Sequence, residues 1–192
     1  MTADLRCTVL AVAVLNLAYF GVEFAVAVSI GSVSLFAESV DFLEDTLVNL
    51  LIFFALAWSA TTRARVGMGM AAILLVPALA LLWSLWGKFA HPVPPEPVAL
   101  SLTGLGALVV NLTCAFLLVR FKSHSGSLTR AAFLSARNDA VANVAIIGAG
   151  LVTAFLWPSA WPDIVVGLGI AVMNIGAARE VWEAAREEHA DA

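Results

Sequence analysis

The sequence predicts an all-α polytopic membrane protein with six transmembrane helices, residues 1–192 forming one domain. Composition is the first reason. Hydrophobic residues make up 61% of the chain and charged residues 12%, whereas a soluble domain is about half apolar and about a quarter charged. A core of this size cannot hide so much apolar surface from water, so the solvent is a bilayer. The second reason is six apolar segments, each near the roughly 20 residues that span hydrocarbon. The third is the placement of the basic residues, taken up below. A net charge of −4 gives no reason to expect a nucleic-acid partner.

The segments run at about 7–29, 32–58, 67–88, 97–120, 129–155 and 161–184. The first, opening within MTADLRCTVL, contains Glu23 and is too long for a signal-peptide core, so it is expected to be retained as a helix. A short IGS turn leads into the second. SATTRARVG precedes the third, HPVPPEP the fourth, FKSHSGSLTR the fifth and WPSAWPD the sixth. The proline cluster and the two Trp-Pro pairs break helices, and Trp157 and Trp161 suit an interfacial belt. Cys7 and Cys114 lie in separate apolar segments without CxxC spacing. They read as two buried thiols, with neither a zinc-ribbon nor a redox role.

On a six-helix zigzag, Arg6, Arg63, Arg65, Arg120, Lys122, Arg130, Arg179 and Arg186 fall on one side. Lys88 falls on the other and Arg137 within a helix. Cytoplasmic loops collect Lys and Arg, so both termini are expected in the cytoplasm, in a multi-pass protein of the plasma (inner) membrane.

Glu23, Glu38, Asp41, Glu44, Asp45, Asp139 and Arg137 sit inside apolar segments. A central Asp costs roughly +2.5 to +3.5 kcal/mol to insert, so these acids must face protein, water or a cation. Glu38 is close enough to the outer boundary to reach the headgroups. Asp41 and Asp45 lie roughly 14 to 20 Å past Ser32, and Asp139 roughly 15 Å past Thr129 from the opposite side, at 1.5 Å per residue. The acids of the second and fifth helices therefore meet at similar depth.

Helical phase groups them further. At about 100° per residue, Asp41, Asp45 and Asn49 share a sector of about 80° with Glu38, and Glu44 falls at its edge. On the fifth helix, Ser135, Asp139 and Asn143 form a stripe continued by Gly150, while Arg137 points about 160° from Asp139. Arg137 is expected to reach the inner headgroups or pair with another helix. Asp45 with Asn49 and Asp139 with Asn143 repeat one Asp-x-x-x-Asn pattern on antiparallel helices, a faint inverted relation of the kind transporters carry. Three carboxylates at mid-membrane without a matching base make a cation site, with two i, i+4 carboxylates from one helix and one or two groups from the facing helix.

These residues resemble the cation diffusion facilitators, a family of divalent-metal/proton antiporters. SVSLFAESVDFLEDTLVNLL is similar to that family's second helix, whose DxxxD or HxxxD supplies two metal ligands. LSARNDAVANVAII is similar to its fifth, usually HxxxD. Glu23, Asn111 and PDIVVGLGIAVMNIGAAREVW with its opening Asp163 follow in order, so the likeness covers nearly the whole chain. The family's fifth-helix His falls on Ser135. The resemblance therefore implies a metal site of Asp41, Asp45 and Asp139, with Ser135, Asn138, Asn143 or water as the fourth ligand. Only ten residues follow Trp182, so the family's C-terminal cytoplasmic domain is expected to be absent, and a homodimer is expected through membrane helices instead. His124, in the inner loop, reads as solvated.

The resemblance implies efflux of a cytoplasmic divalent cation in exchange for protons, by alternating access. The physics agrees: crowded carboxylates in a low-dielectric site cannot all stay ionised when empty, so protons replace a departing metal. The metal is substrate (zinc, manganese, iron or cobalt), and no prosthetic group is expected. With no His in either stripe, preference should move toward harder ions. Glycines at 148, 150, 167, 169 and 176 allow close helix approach. The alternative is a non-transporting membrane partner or a degenerate metal-binding member. An enzyme is not expected: the DGxxAR-like segment of the head-group transferases is absent, as are GxSxG and HExxH.

Overall fold

The computed structural model describes residues 3–55, 79, 81–119, 121 and 126–173, and among them there is no strand. Helix α1 spans Ala3–Ile30, α2 Val33–Ala55, α4 Pro97–Val119, α5 Gly126–Phe155 and α6 Trp161–Met173. Between α2 and α4, residues 81–90 form α3. Arg63, Arg65, Arg120, Lys122, His124, Gly176, Arg179, Arg186 and His189 lie outside the described residues.

Three helical stretches, Asp4–Ile30, Pro97–Val119 and Ser135–Phe155, are long and apolar enough to cross a membrane. Their outward faces carry exposed apolar side chains such as Val14, Leu102, Phe116, Val141 and Phe155. Such a surface suits lipid contact rather than water. Helix α2 has comparable length, but Glu38, Asp41, Glu44 and Asp45 interrupt its apolar run. Those acids turn inward: Glu38, Asp41 and Asp45 are buried and Glu44 is half-buried.

The helix ends show how the sequence sets the boundaries. Helix α1 stops at Gly31, which has φ of 63°. Ser32 N–H reaches back to the Ala27 carbonyl at 3.0 Å, the 6→1 bond of a Schellman cap, for which Gly is the favoured residue. Lys88, from α3, donates to the Gly31 carbonyl. Ser32 then caps α2, its Oγ accepting from Leu35 N–H at 3.2 Å. Asp163, at the start of α6, takes the two preceding amides. Its carboxylate accepts from Val33 N–H at 2.8 Å, Ser34 N–H at 3.1 Å, Ser32 Oγ at 2.7 Å and Ser34 Oγ at 2.6 Å. Three orphan amides of the first turn are thereby satisfied, and a carboxylate meets the positive end of the helix dipole. Glu96 caps α4 through the amides of Val98 and Ala99, with Pro97 at the first helical position, where its missing N–H costs nothing.

Helix α1 packs along α2 and α4 along α5, while α2 faces α5 and α1 also meets α4. Of the glycines singled out in the sequence, Gly150 and Gly167 sit at close helix contacts, α5 against α4 and α6 against α2. A side chain at Gly150 would run into Ser101 and the Pro97 carbonyl, and one at Gly167 would lie 2.7 Å from Val33 Cγ1 and 3.0 Å from the Ser34 amide nitrogen. Gly148 and Gly169 have open space instead. Cys114 is buried as expected, but Cys7 is exposed on the outer face of α1. That position faces away from α2 and α4, so burial inside the bundle does not reach it.

The apolar core is divided in two. One cluster gathers Ala27, Val33, Leu35, Phe36, Leu100, Ile146 and Ile164 near the α1–α2 turn. The other gathers Leu5, Val9, Val12, Ile52, Cys114, Leu118 and Ala136 at the opposite end. The buried acids and amides occupy the level between them.

Candidate metal centre

Two hydrogen bonds set the register of α2 against α5. Ser135 Oγ donates to Asp45 Oδ1 at 3.0 Å, and Asn143 Nδ2 donates to Glu38 Oε1 at 2.8 Å. The helices are antiparallel, so Asp139, midway between Ser135 and Asn143, comes level with Asp41, midway along the facing segment. Asp41 is 8% exposed and Asp45 5%, so little water screens them, and Asp139 is half-buried. Among the described residues no three His, Cys, Asp or Glu side chains close around a single point. The register brings these carboxylates to one level without gathering their oxygens into one coordination shell.

The repeated Asp-x-x-x-Asn pattern acquires a structural meaning. Asn49 Nδ2 donates to the Asp45 carbonyl at 2.8 Å, and Asn143 Nδ2 to the Asp139 carbonyl at 2.9 Å. In both copies the amide returns to the backbone of its own Asp one turn earlier. Each Asn is buried, and the backbone bond gives its amide a partner in surroundings where an unpaired donor is costly.

The expected fourth ligands are treated unequally. Ser135 touches Asp45. Asn143 is wholly buried but turned to Glu38 rather than to Asp45. Asn138 is exposed, its Oδ1 accepting from Arg137 Nη2 at 3.4 Å, and is not brought to the carboxylates. Arg137 thus bonds its own neighbour; among the described contacts it pairs with no other helix.

Glu38 does not reach the headgroups, the alternative that its distance from the helix end left open. It is 0% exposed and held by Asn143 and by Asn111 Nδ2, the latter at 3.2 Å. Its helical sector, shared with Asp41 and Asp45, already pointed inward; distance from the helix end was the misleading signal. Sequence reasoning passed over Asn111 as a partner of this acid, although an amide in the middle of apolar α4 was a visible sign. Asn16 is likewise buried, its Oδ1 accepting from Cys114 Sγ at 3.5 Å.

A helical membrane protein with a layer of buried carboxylates between two apolar clusters is the architecture of an ion-handling protein. The model of the cation efflux transmembrane domain matches residues 9–187, and the chain belongs to that family. It is accordingly a metal cation efflux transporter by family, and the members of that family are transporters rather than enzymes. No curated protein matches the chain.

Proposed function

We propose that this protein exports a divalent metal ion from the cytoplasm in exchange for protons. Asp41, Asp45 and Asp139 hold the ion at mid-membrane and Ser135 or water completes the shell, with Asn143 as a more distant candidate. The observation that carries the reading is the α2–α5 register, which sets Asp139 level with Asp41 and Ser135 against Asp45. The reading requires the three carboxylates, on two facing helices, to change rotamer and close around the ion when it binds. Emptied of metal, the same carboxylates take up protons, and an arriving metal expels them. Alternating access follows if the pair of helices opens first to one side and then to the other.

The basic residues orient the chain with both termini in the cytoplasm and six helices across the plasma (inner) membrane. Two copies pair through their membrane helices, which mass measurement in detergent tests. An all-oxygen site shifts preference from zinc toward manganese or ferrous iron, relative to a site with His. The test of the whole reading is metal-dependent proton flux in proteoliposomes. Wild type should move protons against an imposed metal gradient and Asp45→Ala should not. Metal binding without any proton flux in wild type would leave a non-transporting metal-binding protein.

A further inference from the structure

Helix α1 carries a buried acid that the centre described above does not use. Glu23 is 0% exposed, and neither of its carboxylate oxygens has a hydrogen-bond partner. The ring contacts Tyr19–Phe42, with centroids 5.2 Å apart, and Phe24–Phe36, 5.4 Å apart, fix α1 antiparallel to α2. That register sets Glu23 opposite Glu38, and each lies in a helix packed on the other. Glu38 lies one helical turn from Asp41, toward the α1–α2 turn.

The unmatched atoms at this level are all acceptors: both Glu23 oxygens, Glu38 Oε2 and Asn143 Oδ1. The amide donors nearby are turned to one oxygen of Glu38, Asn111 Nδ2 and Asn143 Nδ2 both donating to Oε1, and Asn143 Nδ2 donates its second hydrogen to the Asp139 carbonyl. The described basic side chains are engaged elsewhere. Arg6 stacks on the Phe53 ring, Lys88 binds the Gly31 carbonyl and Arg137 binds Asn138. Buried acceptors without donors are costly. A positive ion is the partner that such a set of acceptors lacks, and two carboxylates balance the charge of one divalent cation. Carboxylate and carbonyl oxygens suit hard cations such as manganese, calcium and magnesium.

We propose that Glu23 and Glu38, with the amide oxygen of Asn143, form a second site for a hard divalent cation, one helical turn from the Asp41–Asp45–Asp139 centre toward the α1–α2 turn. This goes beyond the exchange reading, since it adds a helix and a binding event that the central site does not require. An ion leaving the centre toward the α1–α2 turn meets this set of oxygens next.

The test is Mn2+ binding to the full chain in detergent, followed by electron paramagnetic resonance and calorimetry. Wild type should bind two ions per chain, and Glu23→Gln, which keeps the shape and removes the charge, should bind one. Asp45→Ala should also bind one, and the double variant none. Glu38→Gln supplies an independent loss from the opposite helix, and unchanged thermal unfolding certifies each variant as folded. One ion in wild type that Glu23→Gln still binds, or unchanged stoichiometry and affinity in Glu23→Gln, overturns the proposal. Loss in Glu23→Gln with no loss in Asp45→Ala would instead sink the central site and leave this one standing.

Discussion

Replacing Asp163 by Ala removes the acceptor that joins the start of α6 to the start of α2. Two backbone amides, Val33 and Ser34, lose their partner at a level where Ser32, Val33 and Ser34 are at most 1% exposed. Each buried donor left unsatisfied costs about 1–3 kcal/mol. The Ser32 and Ser34 hydroxyls, 3.4 Å apart, can turn toward each other, so they add less. Water entering the space offsets part of the loss, and the expected destabilisation is about 3 kcal/mol, within the range for breaking a buried charged contact. For a chain of this length that corresponds to a fall in Tm of about 6–12 °C. Ser34→Ala is the control: it deletes one hydroxyl but keeps both amide bonds to Asp163, and should cost about 1 kcal/mol or less. Thermal unfolding in detergent, followed by circular dichroism, reads both variants. Equal Tm values for Asp163→Ala and wild type would mean that this capping network contributes nothing, and the attachment of α2 to α6 would have to rest on apolar packing alone.

Asp45→Ala should weaken metal binding by calorimetry at least tenfold, about 1.4 kcal/mol, while the protein stays folded. Because a carboxylate must be ionised to bind metal, affinity for Mn2+ should fall as pH is lowered, and a pH-independent affinity would exclude carboxylate ligation. Ser135→His, placed against Asp45, should raise the zinc-to-manganese affinity ratio; an unchanged ratio in competition binding would show that position 135 does not face the ion. Gly167→Ala sets a Cβ 2.7 Å from Val33 Cγ1 and 3.0 Å from backbone atoms of Val33 and Ser34. Overpacking of this kind costs about 1–3 kcal/mol, to be read as a lower Tm, whereas Gly169→Ala, with nothing in reach, should leave Tm unchanged.

The sequence by itself determined the helical class, because backbone polar groups in hydrocarbon must be satisfied within the segment and apolar runs of helical length report that directly. It also determined which residues share a face. The period of 3.6 put Asp41 with Asp45, and Ser135 with Asp139 and Asn143, before any neighbour was known. The Pro and Gly signals placed the ends of α1 and α4 within a few residues, since capping is a local interaction. Partnership between helices was not legible in this way. That Asn143 serves Glu38, that Asn111 joins it from α4, and that Asn138 turns outward to Arg137 depend on the rotation of each helix about its own axis. Packing across the bundle sets that rotation. Glu38 shows the difference most plainly: counted from its helix end it belongs to the headgroups, yet three neighbouring helices enclose it. Glu23 shows it too, because an isolated acid in an apolar helix acquires a role only when the ring contacts of α1 and α2 set it opposite a second acid. Periodicity is a property of one helix, whereas a site is a property of several, and only the tertiary register joins them.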